Sequence, residues 1–270
     1  MRIMKRNIFL LSMLAMLVGA TSCSAGKSGT ENIVLENQVT DYSLKDFTKI
    51  DASGIVKIVL KQEPTWNIRV VESNNPYLKT IVKKQGETLR IYTENKQKSS
   101  RNADSPVVYV TMPKLRSIEM AGATKMEAGD FTTDDFSLEV SGASKVTLGN
   151  IVGKTAEIDC SGASKLTVGN IDCRTAEIDC SGASNLTVSL KAKSLSIENS
   201  GASVCNLSFE GDKLKFENSG AGKVDLNVRC KELTASNSGA AKVTIKGTAD
   251  KTNINATGVA KINTSQLNQY

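Results

Sequence analysis

Serine hydroxyls are the most regularly placed reactive groups in this sequence. They occur in the motif Ser-Gly-Ala-Ser at 141–144, 161–164, 181–184 and 200–203, which could be taken for a nucleophile loop. A hydroxyl needs a general base within hydrogen-bond reach before it attacks anything. Histidine is absent from all 270 residues, which removes the commonest general base and the commonest metal ligand together. No Ser/His, Cys/His or phosphate-cradling arrangement is present. Cys160, Cys173, Cys180, Cys205 and Cys230 follow Cys23, and none has the CxxC spacing of a zinc site. Glycan-cleaving solenoids gather carboxylates, Arg and Lys at one place. Here the arginines beyond residue 22 are only Arg69, Arg90, Arg101, Arg116, Arg174 and Arg229, and the carboxylates form a ladder instead of a cluster. No catalytic residue, metal ligand or cofactor is expected, and the chain is not expected to be an enzyme.

Charge is the second recurrent chemistry. Nine glycines serve as origins: Gly54, Gly122, Gly142, Gly162, Gly182, Gly201, Gly220, Gly239 and Gly258. Three residues before them stand Asp51, Glu119, Glu139, Asp159, Asp179, Glu198 and Glu217, then Ser236 and Asn255. Three residues after them stand Lys57, Lys125, Lys145 and Lys165, then Asn185 and Val204, then Lys223, Lys242 and Lys261. Like charges on neighbouring strands repel. An acidic and a basic row flanking one corner offset each other at about 0–1 kcal/mol per surface pair. The equal length of the rows favours a solvated, charge-balanced edge. The sharper reading makes Lys125, Lys145, Lys165, Lys223, Lys242 and Lys261 a recognition stripe for an anionic glycan.

Such rows need elements that return to the same place at a fixed interval. From Gly122 to Gly258 the spacings are 20, 20, 20, 19, 19, 19 and 19 residues, the mark of a solenoid. Four residues before each glycine lie Ile50, Ile118, Leu138, Ile158, Ile178, Ile197, Phe216, Ala235 and Ile254. Four after lie Ile58, Met126, Val146, Leu166, Leu186, Cys205, Val224, Val243 and Ile262. These positions share one parity, as one face of a strand requires, and no helical period survives beside them. The fold class is all-β: a right-handed parallel β-helix with about 19–20 residues per coil and an irregular N-terminal β cap, its hand taken from the general crossover rule. Each corner glycine is expected to point inward, with φ above zero allowed. The motif serines are expected to be corner residues that stack and meet solvent.

Two residues before the glycine, Asn199, Asn218 and Asn237 fall on consecutive coils and are expected to form an internal amide ladder. Cys160 and Cys180 occupy the same column one coil apart, about 4.8 Å if the strands pair. A disulfide and a pair of buried thiols both remain open there. Cys173 and Cys230 share a column three coils apart and are not expected to pair.

The chain begins with Arg2, Lys5 and Arg6, an apolar run from Ile8 to Val18, and small residues up to Cys23. That order reads as a secretory leader over 1–22, with Cys23 as the expected lipidated N-terminus and ordinary secretion as the alternative. Residues 23–39 read as the lipidated cysteine and a flexible tether, 40–118 as an N-terminal β region with irregular coils, 119–265 as regular repeats and 266–270 as a tail. The leader carries three basic groups and no acid, so its loss takes the formal charge from +6 to +3, too little to argue for nucleic acid. Partners expected are a membrane, through the lipid, and a glycan or protein ligand. The open C-terminal end predicts a short cap or end-to-end self-association.

Phe47-x-x-Ile50-Asp51-Ala52-Ser53-Gly54-Ile55, the step Pro113-x-Leu115-x-x-Ile118 and the serial Ser-Gly-Ala corners resemble the DUF2807 family over roughly residues 40–265. The resemblance implies a β-helical cell-envelope protein of Bacteroidota type with an adhesin label, and it supplies no catalytic residues. The expectation is therefore a lipid-anchored outer-membrane protein that binds through its extended faces. Ser24-Ala25-Gly26-Lys27 lack the acidic cluster that resembles a surface-export tag. That lack favours the alternative, a periplasmic scaffold. A polysaccharide lyase is a third reading.

Overall fold

A computed structural model describes residues 38–95 and 104–269, and Cys23 with its leader lies outside the described residues. Strand β1 (Val39–Tyr42) is followed by β2 (Lys49–Ser53) and β3 (Lys57–Gln62), which flank the Gly54 corner. Next come β4 (Asn67–Val71), β5 (Leu78–Gln85), β6 (Thr88–Asn95) and β7 (Val107–Met112). The following coils are built from β8 (Ser117–Met120), β9 (Lys125–Ala128) and β10 (Phe131–Thr132), then β11 (Asp135–Val140), β12 (Lys145–Leu148) and β13 (Ile151–Val152). After β14 (Thr155–Cys160), β15 (Lys165–Asp172) and β16 (Thr175–Cys180), the strands lengthen. β17 (Asn185–Asn199), β18 (Val204–Asn218), β19 (Lys223–Asn237) and β20 (Lys242–Ala256) each run 15 residues, and β21 (Lys261–Asn268) closes the stack. Among the described residues there is no helix.

Three faces result, each a parallel ladder. The face before the corner stacks β2, β8, β11, β14 and β16 beneath the second halves of β17 to β20. The face after the corner stacks β3, β9, β12 and β15 beneath the first part of β17. A third face starts with β10 and β13. The coils shorten from 20 to 19 residues at one place, where the pairing of β15 with β17 shifts between Thr167 and Asn170. The residue lost is at the second corner, occupied by Gly149 and Gly169 in earlier coils, and beyond it the strands run on without a break.

The 68-residue spacing from Gly54 to Gly122 does not interrupt the stack. β2 and β3 already pair in register with β8 and β9. The inserted β6 and β7 lie beneath them in parallel, as a coil that is later in sequence but lower in the stack. Below that, β5 runs antiparallel to β6, β4 to β7, and β1 to β4. Reversed strands end the parallel ladder there, which makes this the capped end.

Inside, the alternating columns bury almost completely. Ile118, Leu138, Ile158, Ile178, Ile197, Phe216 and Ala235 are no more than 1 % exposed. A column residue such as Leu166, also 1 % exposed, contributes about 1.5–3 kcal/mol by leaving water. One coil could not bury these side chains alone; its neighbours do it.

Three expectations need correction. At five corners the glycine does not face the core: Gly122, Gly142, Gly162, Gly182 and Gly258 are exposed, whereas Gly220 is buried as expected, and in the Ser-Gly-Ala-Ser copies it is the fourth motif residue that turns in. Ser144, Ser164 and Ser184 are each 2 % exposed and Ser203 1 %, so these serines do not meet solvent. Lastly, β21 pairs as far as Asn268, so the tail assigned from 266 is strand, because β20 still offers its edge there.

Candidate functional site

All nine origins stand at turns between strands, but in two conformations. Gly142, Gly162 and Gly182 have φ of 71°, 69° and 70°, a region that side chains with a Cβ rarely adopt. Gly201, Gly220 and Gly239 have no positive φ, yet a Cβ on each would run into the carbonyl oxygen of the glycine one coil below. Close stacking demands glycine at these three.

This turn holds the two charged rows apart. Lys57, Lys125, Lys145 and Lys165 are in register from coil to coil. Asn185 and Val204 interrupt the row, which resumes with Lys223, Lys242 and Lys261. Lys57 pairs with Glu127 at 2.9 Å and Lys223 with Asp225 at 2.6 Å. Among the described residues, no ion pair holds Lys125, Lys145, Lys165, Lys242 or Lys261. Likewise no described ion pair crosses the turn from the acidic row to the basic one, so the two rows do not neutralise each other by direct contact.

The acidic row shows the consequence. Burial raises the Glu119 carboxyl above its ordinary value, and Asp51 and Glu139 add to it. Burial again, then Asp179 and Glu157, raise Asp159. Asp179 is raised by burial and by Glu177.

The third corner is arranged differently. One row there reads Asp172, Lys191, Glu210, Arg229, Thr248 in register. The row two residues on contains Lys193, Asp212, Lys231 and Asp250, and the next Lys213, Glu232 and Lys251. Signs alternate up the stack in all three, and neighbours pair: Lys231 with Asp212 at 2.8 Å, Lys213 with Glu232 at 2.9 Å. These partners hold Asp212 and Glu232 below their ordinary values. An open trough of about 710 Å³ runs between the first two rows. The 19-residue spacing of these charges is visible in the sequence, but columns counted only close to the glycine miss it.

Inside, the asparagines form the expected ladder. Asn199 Nδ2 donates to Asn218 Oδ1 at 2.5 Å, and Asn218 Nδ2 to Asn237 Oδ1 at 2.7 Å. Ser203 donates to Asn199 Oδ1 at one end, and Asn237 Nδ2 reaches the Ala241 and Lys261 carbonyls at the other. Cys160 and Cys180 are registered neighbours, and both are free thiols. The hydrogen bond with Cys180, and burial after it, push the Cys160 thiol well up, and burial does the same to Cys205. Burial raises Cys173 and Cys230 to about 11 each. A protonated thiol is a poor nucleophile.

Stacked parallel coils with polar groups displayed in long rows define a β-solenoid that offers faces to its surroundings. The chain belongs to the DUF2807 family, whose model, described as "Putative auto-transporter adhesin, head GIN domain", matches residues 46–203, 152–223 and 191–269. Among solved structures it is similar to a putative adhesin from Bacteroides fragilis NCTC 9343, at 19 % identity and TM-score 0.60, over 84 % of this chain and 95 % of that one. A putative adhesin from Parabacteroides distasonis ATCC 8503 matches at 16 % identity and TM-score 0.63, over 82 % and 94 %. A putative lipid binding protein from the same strain matches at 14 % and 0.70, over 85 % and 97 %. At these identities the likeness is one of fold. Comparison with curated proteins finds no match.

Proposed function

We propose that the protein is a lipid-anchored, non-catalytic component of the cell envelope that acts in adhesion, holding its ligand on the outer faces of the solenoid. The observation that carries this reading is the contrast between its corners. At the third corner the chain alternates charge up the stack and pairs it. At the first, Lys125, Lys145 and Lys165 stand in register without an ion-pair partner among the described residues. Like charges opposite one another cost stability, and a row that keeps this cost is suited to an external counter-charge. The family description supports the adhesin reading, and the leader ending at Cys23 supports the lipid anchor.

Protease treatment of intact cells tests exposure, and a glycan and matrix-protein array tests binding. Cleavage on whole cells together with array binding is expected. Full protection with an empty array would leave the second reading, a periplasmic scaffold, which the residues Ser24-Ala25-Gly26-Lys27 favour because they lack an acidic cluster.

A further inference from the structure

We infer that the outer surface of β9, β12 and β15 is a binding site for a linear anionic polysaccharide whose chain runs along the solenoid axis. The inference rests on the face-binding reading above and names the ligand class for one face.

Three parallel strips make up this surface. The first is Lys125, Lys145 and Lys165, exposed and in register. The second, two residues on, is Glu127, Thr147, Thr167 and Thr187. The third is Gly129, Gly149 and Gly169, where the Asp130 and Asn150 side chains reach up beside Gly149 and Gly169 and accept from the Asn150 and Asn170 backbone amides. Ammonium groups meet carboxylates or sulfates, and threonine hydroxyls meet sugar hydroxyls. Two acids border the strips at their lower end, Glu127 and Asp130. Glu127 is held by Lys57, and Asp130 Oδ1 accepts from the Asn150 amide at 2.7 Å. The carboxylate row on the far side of the turn repels a polyanion and confines it to the lysine side.

Spacing selects the polymer. Neighbouring lysines lie about 4.8 Å apart along the axis, and one pyranose unit of an extended glycan advances by close to that pitch. Duplex nucleic acid brings a charge about every 3.4 Å on each strand, which falls near only alternate lysines of a row spaced at about 4.8 Å. The second run, Lys223, Lys242 and Lys261, lies on the same line. From Lys125 to Lys261 is seven coil steps, about 34 Å, so a longer chain engages both runs and gains avidity.

The test measures binding of the full chain to labelled linear polyuronate oligomers of increasing length. A sulfated glycan, a neutral glucan and a single-stranded oligonucleotide serve as further probes. Affinity should step up once an oligomer spans both runs. The triple variant Lys125→Gln, Lys145→Gln, Lys165→Gln should bind about tenfold more weakly, as three surface contacts imply. The control Lys193→Gln, Lys213→Gln, Lys231→Gln removes equal charge at the third corner and should stay within about twofold. Equal losses in both triples, or equal affinity for the glucan or the oligonucleotide, would overturn the site. Capture of another ligand on the array, unaffected by the first triple, would sink this site and leave the adhesion reading standing. No binding to anything, with protection on cells, would remove both.

Discussion

At the residue scale, single positions carry strain whose removal or increase is measurable. Gly142 combines a φ of 71° with a backbone oxygen of Gly122 only 2.6 Å from where a Cβ would sit. Gly142→Ala should therefore destabilise the fold by about 1–3 kcal/mol, read as a lower urea midpoint. The acidic row works in the opposite sense. Its raised carboxyls mean that the folded state holds protons which the unfolded chain releases. The contribution of Glu119, Asp159 and Asp179 to stability is thus greatest below the unfolded carboxyl values of about 3.9–4.3 and declines as pH rises through the raised folded values. Asp159→Asn should raise the melting temperature near pH 7, by the equivalent of about 0.5 kcal/mol, and give no gain near pH 3. An equal gain at both pH values would show that repulsion is not the cause. Thiol reagents should leave Cys160, Cys180 and Cys205, each 3 % exposed or less, unmodified until the protein unfolds.

At the element scale, the asparagine ladder ties β17, β18 and β19 by side chains as well as backbone. Asn218→Leu leaves Asn199 Nδ2 and Asn237 Oδ1 without partners, and each buried orphan costs about 1–3 kcal/mol. Replacing all three asparagines by Leu removes the orphans within the ladder. The triple variant should lose less stability per substitution than Asn218→Leu alone, as measured by denaturant unfolding. A triple loss equal to three single losses would deny the cooperativity of the row.

At the scale of the molecule, the two ends differ. Reversed strands finish the lower end, whereas β20 and β21 leave Ile254, Ile262 and Leu267 only partly covered. In a stack held by neighbour contacts, an end without a neighbour opens first. Amide exchange should be fastest in β21, then in the second half of β20, and slowest in β12 to β16. Uniform exchange along the stack would contradict this order. The same open edge is where a second copy would join end to end, so sedimentation at rising concentration tests the self-association expected from the sequence.

The repeat period, the inward parity, the asparagine ladder and both charged rows could be read from the sequence, because each depends only on which residues recur every 19 or 20 positions. The DUF2807 relationship was legible for the same reason. Chain order could not place β6 and β7 beneath β2 and β3, since those pairings join residues 39 and 50 positions apart, outside the 19–20-residue period. Parity does place Ser144, two residues after Gly142, on the inward face, but it could not show that Gly142 itself swings outward, because a turn with φ of 71° breaks the strand alternation at that residue. Whether the acidic and basic rows meet was likewise undecidable from spacing. Only the angle of the turn sets that distance, and it leaves the lysines of β9, β12 and β15 exposed to solvent, with no described ion pair to the acidic row.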